Sequence, residues 1–319
     1  MRIAYIAKHG NGGNQDEDAI AYWLEDLGHD VTRIQEDEAS KAAADVVPLR
    51  QLVAGHDFML FHKWNDFRGL SLLDRVIPRV FWYFDLVDFP SDPSLSRRCR
   101  SRKNWMMNAV PNSELGFCTD GDWVAQDRSG KLHWLMQGAN PRDQLSTTAN
   151  LKKDFPLLFT GGVLRYGDGR YSFVDEMVKR YGLKLRVNYD GMFQSNLHAL
   201  ISQSHIVLAP DAPVTDRYWS NRVYLSLGFK AFMLHPYSEG VARHYEDREQ
   251  IVLYRSRPEC HELVAYYLDH PRERDRIACA GFDRTMREHT YRHRLESLLA
   301  TVKDRLGIGA TIFTPTCPN

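Results

Sequence analysis

The sequence predicts an α/β protein made of two consecutive domains, each built on a parallel β-sheet. Three observations indicate this fold class. The chain has 319 residues, a length that suits two domains of about 150 residues each. Short apolar runs alternate with amphipathic helical stretches, as in βαβ units. The alternation starts twice, and each time a strand is followed by a glycine-rich loop, first over 9–14 and again over 160–170.

The first series of elements begins at the N-terminus. Residues 2–7 form a short apolar run of the kind found in buried parallel strands. Asn14 is positioned to cap the following helix, which Gly28 ends. Residues 85–127 are less regular, and a strand is predicted over 132–136. The other predicted elements are strands over 30–34, 57–62 and 79–84 and a helix over 70–76.

The second series follows a polar stretch over 141–154, which we interpret as a linker between a first domain, 1–140, and a second domain, 155–319. Its predicted strands span 157–160, 183–189, 205–209, 231–234 and 251–254. Its predicted helices span 172–181, 196–202, 220–227 and 259–268. Pro271 suits the first turn of a further helix, and the last helix, over 290–306, carries a clean apolar stripe.

Composition excludes several classes of protein. Lysine plus arginine and aspartate plus glutamate both number 41, so the net charge is zero, whereas proteins that coat nucleic acid non-specifically are basic. The five cysteines are widely spaced and include no C-x-x-C pair, which indicates reduced thiols rather than a disulfide framework or a zinc ribbon. No apolar run approaches the roughly 20 residues of a membrane span, and the N-terminus lacks the apolar segment of a signal peptide. We therefore expect a soluble, cytoplasmic protein.

The second half of the chain carries a family resemblance. Residues 218–299 contain the segments YWSNRVYLSLGFKAFMLHPYSEG, YEDREQIVLY and AYYLDHPRERDRIACAGFDRTMREHTYRHRLESLL. This region resembles the C-terminal domain of glycosyltransferases with the GT-B fold, in the group related to spore-coat maturation proteins and to phage and bacterial nucleotide-sugar transferases. The matching parts are Arg222, the turn at Leu227 and Gly228, the strand over 231–234, the loop from Pro236 to Gly240, and the stretches over 266–271 and 289–294.

The resemblance implies both a fold and an activity. The two domains would be Rossmann-like and would face a central cleft, with the acceptor held by the first and the donor by the second. The last helix would pack back toward the first domain. The enzyme would transfer a sugar from a nucleotide sugar, expected to be a UDP-sugar, to a hydroxyl group of a glycan, a small molecule or DNA. The transfer would retain the anomeric configuration and need no metal or other cofactor. Relatives carry a ribose-binding glutamate where this chain has Leu225, and Glu239 is the candidate replacement.

Candidate donor-binding residues lie in two loops and near one helix start. Without a metal, the charge on the departing diphosphate must be met by arginine and by helix N-termini. Ser220, Asn221 and Arg222 lie in the first turn of a predicted helix and suit this role, although they would equally suit a capped helix with a surface arginine. The further candidates are Gly12 and Gly13 in the first loop, Gly162, Arg165 and Arg170 in the second, and Gly240 beside Glu239. The sequence does not decide between Arg165 and Arg170.

Candidate catalytic and acceptor-binding residues follow the strands of the first domain, because ligands of open α/β sheets bind at the carboxyl ends of strands. His62, Lys63 and Trp64 follow one strand. Asp85, after the next strand, is either a catalytic carboxylate or the cap of a turn. His9, after the first strand, is either an acceptor-side base or a turn residue.

A basic run over 97–103 has five positive charges in seven positions. Arg98, Arg100 and Arg102 would bind a polyanionic acceptor such as DNA, with Trp82 or Trp105 stacking on a base. The alternative is a solvated basic helix face that pairs with acids elsewhere. The run keeps open a phage-type enzyme that glycosylates hydroxymethylated pyrimidines in DNA.

Three segments of the sequence resemble functional motifs but do not predict the corresponding sites. The segment 120–122 reads Asp-Gly-Asp, the form of a metal-binding D-x-D motif, but Asp-Gly also indicates a hairpin turn, which we favour. His289 and His293 lack the H-E-x-x-H pattern of a zinc site, so no metal site is predicted. The first glycine loop lacks the G-x-G-x-x-G of nicotinamide enzymes. A non-catalytic protein that binds nucleotide sugars or polyanions, suggested by Leu225, is the alternative of another class.

Overall fold

The computed structural model describes residues 1–10, 15–89, 96–142, 152–161, 167–188, 195–210 and 213–308, and these residues form two parallel β-sheets with helices. The predicted α/β class is therefore confirmed. The predicted linker falls largely on residues 143–151, which lie outside the described residues, as do Gly12, Gly13, Gly162 and Arg165.

The first sheet has six strands, all paired in parallel. They are β1 (Arg2–Ala7), β2 (Asp30–Gln35), β3 (Phe58–Phe61), β4 (Arg79–Tyr83), β5 (Leu115–Cys118) and β6 (Leu132–Trp134). Their spatial order is β2-β1-β3-β4-β5-β6. The helices among them are α1 (Gln15–Asp26), α2 (Glu36–Ala42), α3 (Val46–Val53), α4 (Phe67–Leu72), α5 (Ser96–Ala109) and α6 (Gly121–Ala125).

The second sheet has five strands, also parallel. They are β7 (Phe155–Thr160), β8 (Leu185–Asn188), β9 (Ser204–Leu208), β10 (Met233–Pro236) and β11 (Val252–Tyr254), in the order β11-β10-β9-β7-β8. The helices that follow β7 are α7 (Gly167–Tyr181), α8 (Ser195–Ser202), α9 (Arg222–Gly228), α10 (Glu239–His244), α11 (Arg257–Asp269), α12 (Pro271–Glu288) and α13 (Tyr291–Leu306).

The two sheets share one strand order. In each, the first strand in the chain has the second strand on one side and the third on the other, so the direction of winding reverses between β1 and β3 and again between β7 and β9. A crevice opens at the carboxyl ends of strands at such a reversal, because the following connections leave over opposite faces. Each sheet therefore offers one crevice in which a ligand can bind.

Apolar side chains on both faces of each sheet hold the helices in place. On one face of the first sheet, residues of α2 to α5 such as Leu49, Leu70 and Met106 are fully buried against the strands. The opposite face is covered by α1 and by α13, whose Leu295 and Leu298 are fully buried. Burial on both faces explains the continuous apolar runs that the sequence shows at the strands.

The last helix belongs in sequence to the second series but packs against the first sheet. The Tyr291 backbone NH donates to the Ala139 carbonyl at 2.9 Å, and the Ala139 NH donates to His289 at 2.9 Å. Gly138 lets these two segments approach, since a Cβ at that position would lie 2.5 Å from the Thr290 carbonyl carbon. Thr290 caps the helix, with His293 completing a capping box.

The stretch over 85–127 is more regular than predicted. It contains α5, β5 and α6, which the sequence analysis left without assignment. The predicted hairpin at 120–122 is wrong. Asp120 is instead the N-cap of α6, where its carboxylate accepts the Trp123 NH at 3.0 Å and the Val87 NH at 2.7 Å. The described cysteines, Cys99, Cys118, Cys260 and Cys279, are free thiols.

Candidate active site

The crevice of the first sheet holds a carboxylate between two cations. Asp85 follows β4, Lys63 lies two residues beyond β3, and Arg102 comes from α5. The Lys63 Nζ lies 2.5 Å from Asp85 Oδ2, and an Arg102 guanidinium nitrogen lies 3.0 Å from Asp85 Oδ1. Arg102 also donates to the Leu86 carbonyl at 2.8 Å, which fixes its position. Both Asp85 oxygens are thus engaged in charge-assisted contacts, which hold the carboxylate in place.

A second carboxylate, which the sequence analysis missed, lies where the two sheets meet. Asp16 is in the first turn of α1 and is half-buried. Its carboxylate accepts the Asn221 amide at 3.1 Å from the second half of the chain and the Gln137 amide at 3.0 Å from the first. Burial raises the pKa of Asp16, while these hydrogen bonds and nearby Lys63 oppose the rise. The position of Asp16 just after a glycine-rich loop is the feature that would have found it.

The crevice of the second sheet holds two arginines. Arg222 is the first residue of α9 and is 9% exposed. Its guanidinium lies against Gly161, the residue after β7, where a methyl group would be 3.7 Å from Arg222 Cζ. It also lies over the Phe159 ring at 5.7 Å. Arg170 is 5% exposed and its Nε donates at 2.9 Å to Pro210, two residues beyond β9. Both arginines therefore lie at the β7–β9 crevice.

The start of α9 differs from the prediction. The helix begins at Arg222 rather than Ser220, and it is seven residues long. Ser220 and Asn221 precede it: the Ser220 hydroxyl accepts the Arg222 NH at 3.3 Å, and the Asn221 side chain turns away to Asp16. A helix this short adds little dipole, so the charge at the crevice comes chiefly from the arginine side chains.

His9 is held by its own strand and loop. Its Nε2 donates to the Tyr5 carbonyl at 3.1 Å, and its Nδ1 lies 3.7 Å from Asp18. The side chain is 7% exposed. The backbone of His9 exchanges two hydrogen bonds with the side chain of Gln35, the last residue of β2, which ties the segment after β1 to β2. These contacts match the role of a turn residue.

His62 and Trp64 are buried residues, and their assignment to the acceptor stays a prediction. His62 is 3% exposed, donates from Nδ1 to the Trp82 carbonyl at 2.6 Å, and has its pKa lowered to about 3 by burial. Trp64 is 1% exposed, and its indole NH donates to Ser40. The Trp64 ring fills the space over Gly69, where a Cβ would be 2.8 Å from it. His62 is packed against the end of β4, where its ring lies 4.2 Å from the Phe84 ring, and Trp64 is packed against the apolar cluster on one face of the sheet. A strand-end position in the sequence does not reveal this burial.

The basic run lies on α5 and is partly neutralised. Arg102 pairs with Asp85, and Lys103 pairs with Asp88 at 2.5 Å. Two of the positive charges are therefore paired with carboxylates in the segment after β4. Arg98 is half-buried, whereas Arg100 is exposed. The predicted base-stacking residues are unsuitable: Trp82 is 1% exposed, and Trp105 is 7% exposed and stacks on Tyr83.

Glu239 and Gly240 lie at the start of α10. Glu239 is exposed and accepts hydrogen bonds from the Tyr237 hydroxyl at 3.0 Å and from Arg243. Its backbone NH donates to Asp216 at 2.8 Å. At Gly240 a Cβ would lie 2.0 Å from the Asp216 carbonyl oxygen. Gly240 therefore admits the loop over 213–219, while Glu239 stays accessible. Leu225 packs against an apolar cluster.

Neither a metal site nor a membrane-spanning helix is found among the described residues. No group of three or more His, Cys, Asp or Glu side chains there could hold a metal ion. None of the helices in the described part of the chain is both long and apolar enough to cross a membrane.

Comparison with known proteins gives a match to one family model in the second half of the chain. Residues 150–300 match the family model described as "Glycosyl transferase-like", so the second half of the chain is a glycosyltransferase-like domain, as its sequence predicted. A search of curated proteins finds no match.

The whole fold is similar to solved structures. Sucrose-phosphate synthase from Thermosynechococcus elongatus shares 10% identity over 96% of this chain and 99% of its own, with a TM-score of 0.65. Anabaena HepE in complex with UDP-glucose shares 11% identity over 95% and 100%, with a TM-score of 0.63. A glycosyltransferase from Rickettsia africae shares 11% identity over 96% and 98%, with a TM-score of 0.61. These similarities confirm the GT-B fold. The narrower spore-coat and phage group stays a prediction.

Proposed function

We propose that the protein transfers a sugar from a nucleotide-sugar donor to an acceptor hydroxyl, with retention of anomeric configuration and with no metal or other cofactor. One observation carries the proposal: the Arg222 guanidinium lies against Gly161 in the crevice of the glycosyltransferase-like domain. We further propose a UDP-sugar as donor, which is supported by the similarity of the fold to HepE, a protein solved with UDP-glucose.

The second crevice would bind the donor diphosphate. Gly161 has φ +128 and no side chain, so the backbone after β7 comes close to the Arg222 guanidinium. Negative charge accumulates on the diphosphate as the glycosidic bond breaks, so an arginine that faces it stabilises the transition state more than the intact donor. Arg170, fixed by Pro210, would supply a second charge.

The first crevice would position the acceptor. Lys63, Asp85 and Arg102 form a fixed polar group at the carboxyl ends of β3 and β4, which can hold hydroxyl groups by hydrogen bonds. Asp16 links this crevice to the donor side through Asn221, the residue before Arg222. Glu239, which is exposed and near the donor domain's β10, would bind the ribose in place of the glutamate replaced by Leu225.

The test compares Arg222→Ala and Arg222→Lys with the wild-type protein. We expect Arg222→Ala to lower the rate of UDP-glucose hydrolysis or transfer roughly 10²–10³-fold, the usual loss for one preorganised charge-stabilising group, with a smaller effect on donor affinity. Arg222→Lys should recover only part of the rate, because lysine lacks the planar fork. Arg180→Ala, an exposed arginine on α7, is the matched control. Proton NMR of the product would report its anomeric configuration.

Two results would separate the alternatives. Wild-type turnover in Arg222→Ala, with an unchanged thermal melt, would overturn the role of Arg222. Tight binding of UDP-glucose with neither hydrolysis nor transfer to any acceptor would favour the non-catalytic binding protein that Leu225 suggests.

A further inference from the structure

A segment of the second half of the chain, residues 213–219, is attached to the first half. It lies between β9 and α9 and ends three residues before Arg222. The Arg217 carbonyl accepts the Gly121 backbone NH at 2.9 Å, at the start of α6 in the first half. The Arg217 guanidinium also lies over the Trp134 ring of β6, 5.3 Å from its centroid. Both the backbone and the side chain of Arg217 therefore contact the first half.

The contact between Arg217 and the first half is close. A Cβ at Gly121 would lie 2.9 Å from Arg217 Cβ and 3.0 Å from the Arg217 carbonyl oxygen, so a larger residue at position 121 would displace this backbone. The Trp134 ring is itself held in place, because its indole NH donates to the Thr119 carbonyl at 3.1 Å. The first half therefore sets the position of Arg217.

The neighbouring residue, Asp216, contacts the start of α10 in the second half. Asp216 Oδ1 accepts the Glu239 backbone NH at 2.8 Å. The Asp216 carbonyl oxygen lies against Gly240, at a place that a Cβ would occupy. The first turn of α10 is thus fixed by one hydrogen bond and by one close backbone contact. Two adjacent residues, Asp216 and Arg217, therefore connect α10 with the first half.

The segment also has internal contacts that restrict its movement. Thr215 Oγ1 accepts the Tyr218 NH at 2.9 Å and donates to the Tyr218 carbonyl at 2.8 Å, which closes a turn around residues 216–217. Trp219 is 1% exposed, and its indole NH donates to the Tyr224 hydroxyl on α9 at 3.1 Å. Contiguous contacts of this kind carry a displacement from one side of an element to the other. A shift of Arg217 should therefore shift the start of α10.

We propose that Arg217 is a positioning residue for the donor site: through Asp216 it fixes Glu239, the proposed ribose-binding carboxylate, from the first half of the chain. The inference rests on the proposed function. Asp216 holds the backbone of Glu239 rather than its side chain, so the exposed carboxylate stays accessible to ribose hydroxyls. A hydrogen bond to a hydroxyl is directional, so a displacement of about 1 Å at Glu239 weakens it without unfolding the protein.

The test measures how strongly the full-length protein prefers UDP over 2′,3′-dideoxy-UDP, by calorimetry. The two ligands share the base and the diphosphate and differ only in the ribose hydroxyls. The ratio of their affinities therefore reports the contact of Glu239 with the ribose. A general loss of structure would weaken the binding of both ligands and leave this ratio unchanged.

Three variants perturb the connection. Arg217→Ala removes the cation over Trp134, and Arg217→Lys keeps a cation there. Gly121→Ala pushes on residue 217 from the first half. The matched control is Arg292→Ala, because the Arg292 side chain is 47% exposed against 42% for Arg217 and also pairs with a carboxylate at the surface. Thermal melts establish that each variant folds.

We expect the wild-type protein to prefer UDP by about tenfold or more, the usual value of a hydrogen bond to a charged group. Arg217→Ala, Gly121→Ala and Glu239→Gln should each reduce this preference at least about threefold. Arg217→Lys should restore most of it, and Arg292→Ala should leave it unchanged. Arg217→Ala added to Glu239→Gln should reduce the preference no further, because both changes act on one contact.

Two sets of results separate the inference from the proposed function. A wild-type preference in Arg217→Ala, or a further loss of equal size when it is added to Glu239→Gln, would overturn the inference. If Arg217→Ala does not fold, Gly121→Ala decides in the same way. A wild-type protein that does not prefer UDP, or an unchanged preference in Glu239→Gln, would instead overturn the ribose contact in the proposed function.

Discussion

The two crevices occupy equivalent positions in sheets of the same strand order, yet their polar groups differ. In the first, carboxylates are held by cations and amides: Asp85 by Lys63 and Arg102, and Asp16 by Asn221 and Gln137. In the second, Arg222 and Arg170 are held by a glycine, an aromatic ring and a backbone carbonyl. The comparison teaches that one topology provides two sites and that the residues after the strands decide their chemistry. A balanced group suits a neutral acceptor, whereas arginines suit an anion.

The largest expected effect is on the pH dependence of stability. It tests how deeply the histidines in each half of the chain are buried. Burial lowers the pKa of His62 in the first half to about 3, and that of His198 and His289 in the second half to about 4 and about 3. These histidines stay neutral in the folded protein while the unfolded chain takes up protons below a pKa of about 6.5. The free energy of unfolding should therefore fall as pH drops below about 6.5, by up to about 1.4 kcal/mol per pH unit for each histidine.

The measurement is urea unfolding at pH 7.5, 6 and 4.5 for the wild type, His62→Gln and His289→Gln. Each variant should flatten the slope of stability against pH by about one proton. Carboxylates such as Asp16, whose pKa is raised, shift the slope in the opposite sense, but they cancel when each variant is compared with the wild type. An unchanged slope in His289→Gln would show that His289, which faces His244 and Arg294, is protonated in the folded protein.

Removal of Asp16 should break the link between the two crevices. Asp16→Ala leaves the amides of Asn221 and Gln137 without their acceptor, so we expect a loss of about 1–3 kcal/mol in stability. Turnover should fall further than Asp26→Ala lowers it. Asp26 lies on the same helix and pairs at the surface with Arg292, a contact worth about 1 kcal/mol or less. If both variants lose equal stability and keep full turnover, Asp16 does not couple the two sites.

Substitutions of exposed arginines on α5 should have the smallest effect on stability. They test whether the first half of the chain binds a polyanion. Arg97 and Arg100 are exposed, so their joint change to Ala should alter stability by less than about 0.5 kcal/mol. It should reduce the slope of log DNA affinity against log salt by about two, while Arg128→Ala, another exposed arginine of the first half, serves as control. We expect DNA affinity to be weak at physiological salt. Tight DNA binding at physiological salt that the joint change of Arg97 and Arg100 abolishes would favour a DNA acceptor.

Much of the fold could be predicted from the sequence, because its strands are continuous apolar runs that burial on both faces requires. The strand predicted over 2–7 matches β1, and Pro271 and Thr290 begin α12 and α13 as expected. The prediction failed where amphipathic character was weak. Helix α5 was not assigned because its charged first half conceals the few apolar residues, such as Met106, that anchor it. Asp120-Gly121 has the local pattern of a turn, but the Asp120 carboxylate caps α6 through the Trp123 NH and also accepts the Val87 NH.

The candidate site, like the fold, could be predicted from the sequence only in part. The sequence by itself determined that the chain has two α/β halves, that glycine loops and polar residues follow their strands, and that the second half resembles glycosyltransferases. The hydrophobic patterns of strands and the positions of glycines are local properties of the sequence. They can therefore be recognised without knowing which distant segments pack together. Only the tertiary structure decided which strand-end residues face a crevice. It buried His62 and Trp64, paired Lys63 and Arg102 with Asp85, and brought Asp16 to Asn221 across 205 positions. Such pairings depend on helix packing between distant segments, and no local pattern in the sequence specifies them.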